Sequence, residues 1–219
     1  TSLEIEKRDQ IATVWLNRPE IHNAFNEVMI SEIIDAYEKL NKDSEVRIIV
    51  LRGRGKSFCA GADLNWMKDV VNYNFDQNYK ESYNLSVCFN TIYSSKKITM
   101  AIVHGAAIGG ANGLLAASDF VYAEDDTVFS LSEVKIGLIP ACIGPYIIKR
   151  VGEFAAKEFI LSGLRFNGEV AERKGLVNKS LSKNELEDYF QKSIKRLLTS
   201  GPQAIIKSKE LIDNLCNNL

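Results

Sequence analysis

The chain has 219 residues, 46% hydrophobic and 25% charged, with 27 Lys and Arg against 28 Asp and Glu for a formal net charge of −1. That length fits one globular core, and the balanced charge supplies no basic field for nucleic acid. No apolar run reaches the roughly 18 to 20 residues of a membrane-spanning helix, the N-terminus shows no basic-then-apolar leader, and Cys59, Cys88, Cys142 and Cys216 have neither metal-ligand nor disulfide spacing. The expectation is a reduced, cytoplasmic protein without a membrane segment.

Residues 3–7 and 11–16 alternate apolar and polar side chains around Asp9-Gln10, which predicts a hairpin. Asn26 is placed to cap a helix over 27–40, where Val28, Met29, Ile33, Ile34 and Tyr37 recur at helical spacing. Residues 48–51, 100–103 and 120–123 are continuous apolar runs of the buried-strand kind, with helical patterns between them at 78–93 and 110–117. This alternation predicts an α/β core with a largely parallel sheet. Beyond Pro145 the pattern turns helical: Ser182 and Glu185 have capping-box spacing for a helix reaching about Leu198, and another follows Pro202. The division expected is an α/β core over 1–180 and a helical segment over 181–219 whose last helix is incomplete.

Two small-residue segments stand out: Phe58-Cys59-Ala60-Gly61-Ala62-Asp63-Leu64 and His104-Gly105-Ala106-Ala107-Ile108-Gly109-Gly110-Ala111-Asn112-Gly113. Each follows a β-branched run and leads towards a helix. Small side chains leave main-chain N–H groups uncovered, so one N–H from each loop could hold a single substrate oxygen. The bland reading of either segment alone is a tight strand-to-helix turn.

Together with Phe129-Ser130-Leu131-Ser132-Glu133-Val134-Lys135-Ile136-Gly137-Leu138-Ile139-Pro140, with Leu16-Asn17-Arg18-Pro19-Glu20-Ile21-His22-Asn23-Ala24-Phe25-Asn26 before them and Leu161-Ser162-Gly163 and Gly175-Leu176-Val177 after, the segments resemble the enoyl-CoA hydratase/isomerase, or crotonase, family. Within it, Asp63-Leu64-Asn65-Trp66-Met67 and the stretch from Ser132 to Ala141 are most similar to the bacterial methylglutaconyl-CoA hydratase type. The resemblance implies a spiral of repeated ββα units with C-terminal helices used in trimer assembly, as a homotrimer or a dimer of trimers. It implies an acyl-CoA thioester substrate, coenzyme A being part of that substrate, with no separate cofactor and no metal.

Residue by residue, the resemblance puts the oxyanion donors on the N–H groups of Ala62 and Gly110 and the catalytic carboxylate on Glu133. Contacts to coenzyme A fall on Ala24, Ala60, Asp63 and Leu64 as well as Ala62. Many hydratases of the family carry a second glutamate at the position of Gly113, so Glu133 is left as the single matched acid/base. Replacement of Gly113 by Ala is expected to be mild if the backbone there has ordinary φ. The position near Ala141 often supplies a further N–H for water. Lys7, Arg18, Arg54 and Lys56 are candidate phosphate contacts, although solvated side chains are the better reading of each. Asp119, His104 and Cys142 read as structural residues. The expected reaction is hydration of an α,β-unsaturated thioester, with a branched glutaconyl thioester as the candidate that the subgroup resemblance implies; the alternatives are isomerisation by the same glutamate and acyl-CoA binding without turnover.

Overall fold

The computed structural model describes residues 1–70 and 72–217. Strands β1 (Leu3–Arg8) and β2 (Ile11–Leu16) form the hairpin, Leu3 opposite Leu16. Its turn residues Asp9 and Gln10 both have positive φ, 49° and 68°, as a two-residue hairpin matched to strand twist requires. Helix α1 (Glu27–Lys42) begins where expected: the Asn26 side chain accepts from Met29 N at 2.9 Å. It buries Met29, Ile30, Ile33, Ala36, Tyr37 and Leu40, while Val28 faces outwards.

Strand β3 (Ile48–Gly53) is followed by a short helix α2 (Leu64–Val70) and the long α3 (Phe75–Tyr93). Next come β4 (Ile98–Val103), β5 (Ala106–Ile108) and α4 (Ala111–Ala117), then β6 (Phe120–Glu124), β7 (Val128–Ser130) and α5 (Gly144–Ser162). The chain closes with β8 (Arg165–Phe166), α6 (Gly168–Arg173), β9 (Lys179–Leu181), α7 (Lys183–Leu198) and α8 (Pro202–Asn217). The main sheet has the order β1-β2-β3-β4-β6-β9 and is parallel from β2 onwards. A second sheet has the order β5-β7-β8, with β5 parallel to β7. The units β4-β5-α4 and β6-β7-α5 each send one strand into each sheet, which is the ββα repetition expected.

The apolar runs are continuous because both faces of the main sheet are covered. Ile49, Leu51, Ala101 and Val103 face a core shared with α1, α3, α4 and α5, whereas Ile48, Val50, Met100 and Ile102 face Leu186, Phe190 and Ile194 of α7. Helix α7 therefore covers the second face of the main sheet. The capping box anticipated at its start does not form: the Ser182 hydroxyl donates to Glu185 Oε2 at 2.5 Å. A complete box stands at the start of α3, between Asn74 and Gln77.

Candidate active site

Two of the three sequence-predicted loops leave β5 and β7 of the second sheet at the same end, and the first loop lies beside β5 through an isolated bridge. Cys59 bridges Ala107 in parallel, and Ala107 is paired with Phe129, so these three residues form a row across adjacent chains. Ala62 lies three residues beyond Cys59, Gly110 three beyond Ala107, and Glu133 four beyond Phe129. A parallel arrangement brings equal steps along the chain to equal heights, which is why ligand sites gather beyond the carboxyl ends of parallel strands.

The first two loops touch closely. Cys59 N donates to Ala106 O at 3.0 Å and Ile108 N to Cys59 O at 3.1 Å. Gly61 has φ +91°, and a β-carbon on it would stand 2.9 Å from Ile108 O, so only glycine permits this approach. Phe25 ties the arrangement together: its main chain bridges Ala62, and its ring edge lies 3.5 Å from where a β-carbon of Gly110 would be. Around the two loops, Ala60 N donates to His22 O, Asp63 N to Phe25 O and Gly109 N to Ser130 O, at 2.9, 2.8 and 2.7 Å. The N–H groups of Ala62 and Gly110 have no protein acceptor among the described residues.

Glu133 opens a 3-10 turn, Glu133–Ile136, directly after β7. A β-carbon on Gly109, itself at φ +55°, would stand 3.3 Å from Glu133 Oε1. The acid therefore lies against the turn that presents Gly110. Glu133 Oε2 is buried without a hydrogen-bond partner among the described residues. Burial raises the pKa above the ordinary 4.5, opposed by a weaker hydrogen bond from its own main chain. A buried acceptor left unpaired costs about 1–3 kcal/mol, and a carboxyl with its pKa raised in this way is suited to taking up and returning a proton.

The other predicted contacts divide. Ala60 lies within the first loop, Ala24 is buried next to Phe25, and Leu64 is 74% exposed. Asp63 has its polar groups engaged internally: Oδ2 pairs with Arg18 Nη2 at 2.9 Å, Oδ1 accepts from Asn65 N, its N–H goes to Phe25 O, and its carbonyl accepts from Met67 N. The Asn65 N–H, with Arg18 beside it, holds the Asp63 carboxyl below its ordinary range. Arg18 also donates to Ala24 O at 2.8 Å, so both residues brace the loop. Arg54 is held by Glu4 and Glu6 over the Trp15 ring, and Lys7 by Asp43. Asp119 accepts from Thr99 N and Lys209, as a structural residue does. The Ala141 N–H, expected to serve a water, instead donates to Ile139 O at 2.9 Å.

Gly113 is a correction. Its φ is not in the left-handed range, but a β-carbon there would meet Ile143 Cγ2 at 2.4 Å and Phe89 Cε1 at 2.8 Å. The space a glutamate would need is filled by Phe89 and Ile143, so even alanine overlaps its neighbours. Three supporting residues carry no signal that small-residue spacing reveals: Phe25; Asn23, whose amide donates to Arg54 O and Ser57 O; and Asn112, fully buried at the start of α4. A polar amide inside an otherwise small and apolar stretch was the available clue to Asn112.

Comparison with solved structures places this fold among the crotonases. An enoyl-CoA hydratase from Shewanella pealeana superposes with a TM-score of 0.96 at 36% identity, covering 100% of this chain and 82% of that one. Crotonyl-CoA hydratase of Syntrophomonas wolfei is 33% identical over 208 residues, 94% of this chain and 78% of its own. The short-chain-enoyl-CoA hydratase of Clostridium acetobutylicum is 31% identical over 215 residues, 95% of this chain and 80% of its own. The family model described as enoyl-CoA hydratase/isomerase matches residues 6–218. The chain belongs to the enoyl-CoA hydratase/isomerase family.

Proposed function

We propose that the protein hydrates an α,β-unsaturated acyl-CoA thioester, with Glu133 as its one acid/base and the N–H groups of Ala62 and Gly110 as donors to the thioester oxygen. The observation that carries this reading is Glu133: a carboxyl with a buried, unpaired oxygen, packed against the turn that exposes the Gly110 N–H. Attack of water at the β-carbon pushes electrons onto the thioester oxygen, where two hydrogen bonds strengthen as charge develops. Glu133 takes one proton from the attacking water, the hydroxyl bonds to the β-carbon, and the same proton returns to the α-carbon. Acyl-CoA recognition would use the first loop through Ala24, Ala60 and Leu64, with Asp63 contributing through Arg18 to the loop's shape. Assembly as a trimer and a branched glutaconyl substrate belong to the same reading by analogy.

A second reading, enoyl-CoA isomerisation, is favoured by Gly113. With Phe89 and Ile143 in place of a second acid, one carboxylate moving a proton between the γ- and α-carbons accounts for the site without added water. Product analysis in heavy-oxygen water, on a 2-enoyl-CoA and a 3-enoyl-CoA, separates the two. Oxygen incorporated into a 3-hydroxyacyl product supports hydration; double-bond migration without incorporation selects isomerisation.

A further inference from the structure

Asn112 is fully buried in the first turn of α4, two residues past Gly110. Its Nδ2 lies 3.2 Å from Ala107 O, 3.0 Å from Gly109 O and 2.9 Å from Ser130 O. Two amide hydrogens thus serve three carbonyls, one being shared. These acceptors lie in two separate stretches of the chain. Ala107 lies in β5, Gly109 is the turn before Gly110, and Ser130 ends β7 three residues before Glu133. Beside them, Gly109 N also donates to Ser130 O at 2.7 Å. Asn112 Oδ1 is buried with no partner among the described residues. An unpaired acceptor is costly in a small, apolar helix start, so an apolar side chain here would be cheaper if packing were all that mattered.

We propose that Asn112 is a positioning residue that ties the turn presenting the Gly110 N–H to the end of β7, and so fixes the Gly110 donor relative to the Glu133 carboxylate. The inference rests on the oxyanion assignment of Gly110 made above. This one amide bonds both the donor turn and the end of the strand that leads to the acid, and so adds a side-chain brace to the main-chain bond from Gly109 N to Ser130 O. Without its donors the Gly109 carbonyl keeps only the Asn112 main-chain N–H and the Ser130 carbonyl only the Gly109 N–H, so the peptide that carries the Gly110 N–H loses its side-chain brace. Misplacing one hydrogen-bond donor to a developing oxyanion is the kind of change that costs about 100-fold or more in turnover. Ground-state binding of the coenzyme A portion, which depends on the first loop, does not pass through Asn112.

The test uses the full-length protein with Asn112→Leu, which has the same branched shape but no donor, and Asn112→Ser, which keeps one donor. Three quantities are read for each: thermal midpoint, kcat against KM on a 2-enoyl-CoA, and the absorbance red shift of a bound conjugated aryl-enoyl-CoA, which reports hydrogen bonding to the thioester oxygen. Asn112→Leu should lower kcat at least tenfold with KM within about threefold, and lose most of the red shift. Asn112→Ser should recover part of both. A folded Asn112→Leu protein with native kcat and native red shift overturns the inference. So does failure of both variants to fold, which would assign Asn112 to the core alone. The unmodified protein separates the two layers of argument. If it gives no red shift at all, the oxyanion reading has failed; if it gives one that both variants retain, only the role of Asn112 has.

Discussion

The Glu133 carboxylate lies against the bare Cα of Gly109, with Oε1 3.3 Å and Cδ 3.7 Å from the place a β-carbon would take. Gly109 also has φ +55°, so a methyl group would bring both backbone strain and crowding of the acid. Gly109→Ala should therefore lose about 1–2 kcal/mol of stability through the left-handed backbone, and lose turnover beyond what that loss explains. Denaturant titration alongside kcat at saturating substrate checks both; unchanged turnover in a folded variant contradicts the proximity argument.

Gly113 has no such backbone restriction but has no room. Alanine at this helical position gains about 1 kcal/mol in propensity, against overpacking that typically costs about 1–3 kcal/mol. The contacts at 2.4 and 2.8 Å put this site at the upper end, so Gly113→Ala should be destabilised on balance. Combining it with Phe89→Leu should recover part of the loss, because the two sites share one volume. Additive losses in the double variant would show that Phe89 is not the obstacle.

The raised Glu133 pKa has two consequences of definite sign. Water attack needs the carboxylate, so turnover should rise with pH through a midpoint above 4.5, and that limb should vanish in Glu133→Gln. Between the ordinary value 4.5 and the raised folded value, the native state holds a proton that the unfolded chain has released. Native stability therefore falls as pH rises through that window. Glu133→Gln removes this slope, so its stability relative to the natural protein should improve from pH 4 to pH 8 as measured by denaturant unfolding. A parallel pair of stability curves would contradict the burial of this carboxyl.

Thiol reactivity should divide the four cysteines. Burial pushes Cys59 and Cys88 up to about 12, which keeps them as inert thiols. Cys216 is exposed and Cys142 partly so. Titration of the native protein with an aromatic disulfide should modify two thiols quickly and four only after unfolding. Rapid modification of Cys59 would show the first loop to be open where it is closely packed.

Much of this was legible in the sequence where a pattern repeats. The hairpin, α1 with its Asn26 cap, and the cores of β3, β4 and β6 follow from periodicity, because each buries a regular stripe or a whole run. Strands β5, β7, β8 and β9 did not, since two or three residues carry no period. Yet β5 and β7 set the register that aligns Gly110 with Glu133. The small-residue loops announced a close approach of backbones; what they approach, Ile108 O and the Phe25 ring, is a tertiary matter. Space at 113 was likewise unreadable, because Phe89 and Ile143 lie 24 and 30 residues away along the chain. The Ser182 cap went astray because its hydroxyl prefers the nearer charge of Glu185.

The most direct test of the account is the turnover of Glu133→Gln on the best 2-enoyl-CoA, measured with coenzyme A thioester binding and unfolding on the same preparation. Glutamine keeps the side chain's size but cannot carry a proton between water and the α-carbon. The account predicts a loss of about 100- to 10,000-fold in kcat, with thioester binding within about threefold of native and a folded protein. Turnover within about tenfold of native, in a folded variant that binds substrate normally, would contradict the claim that Glu133 alone handles the proton.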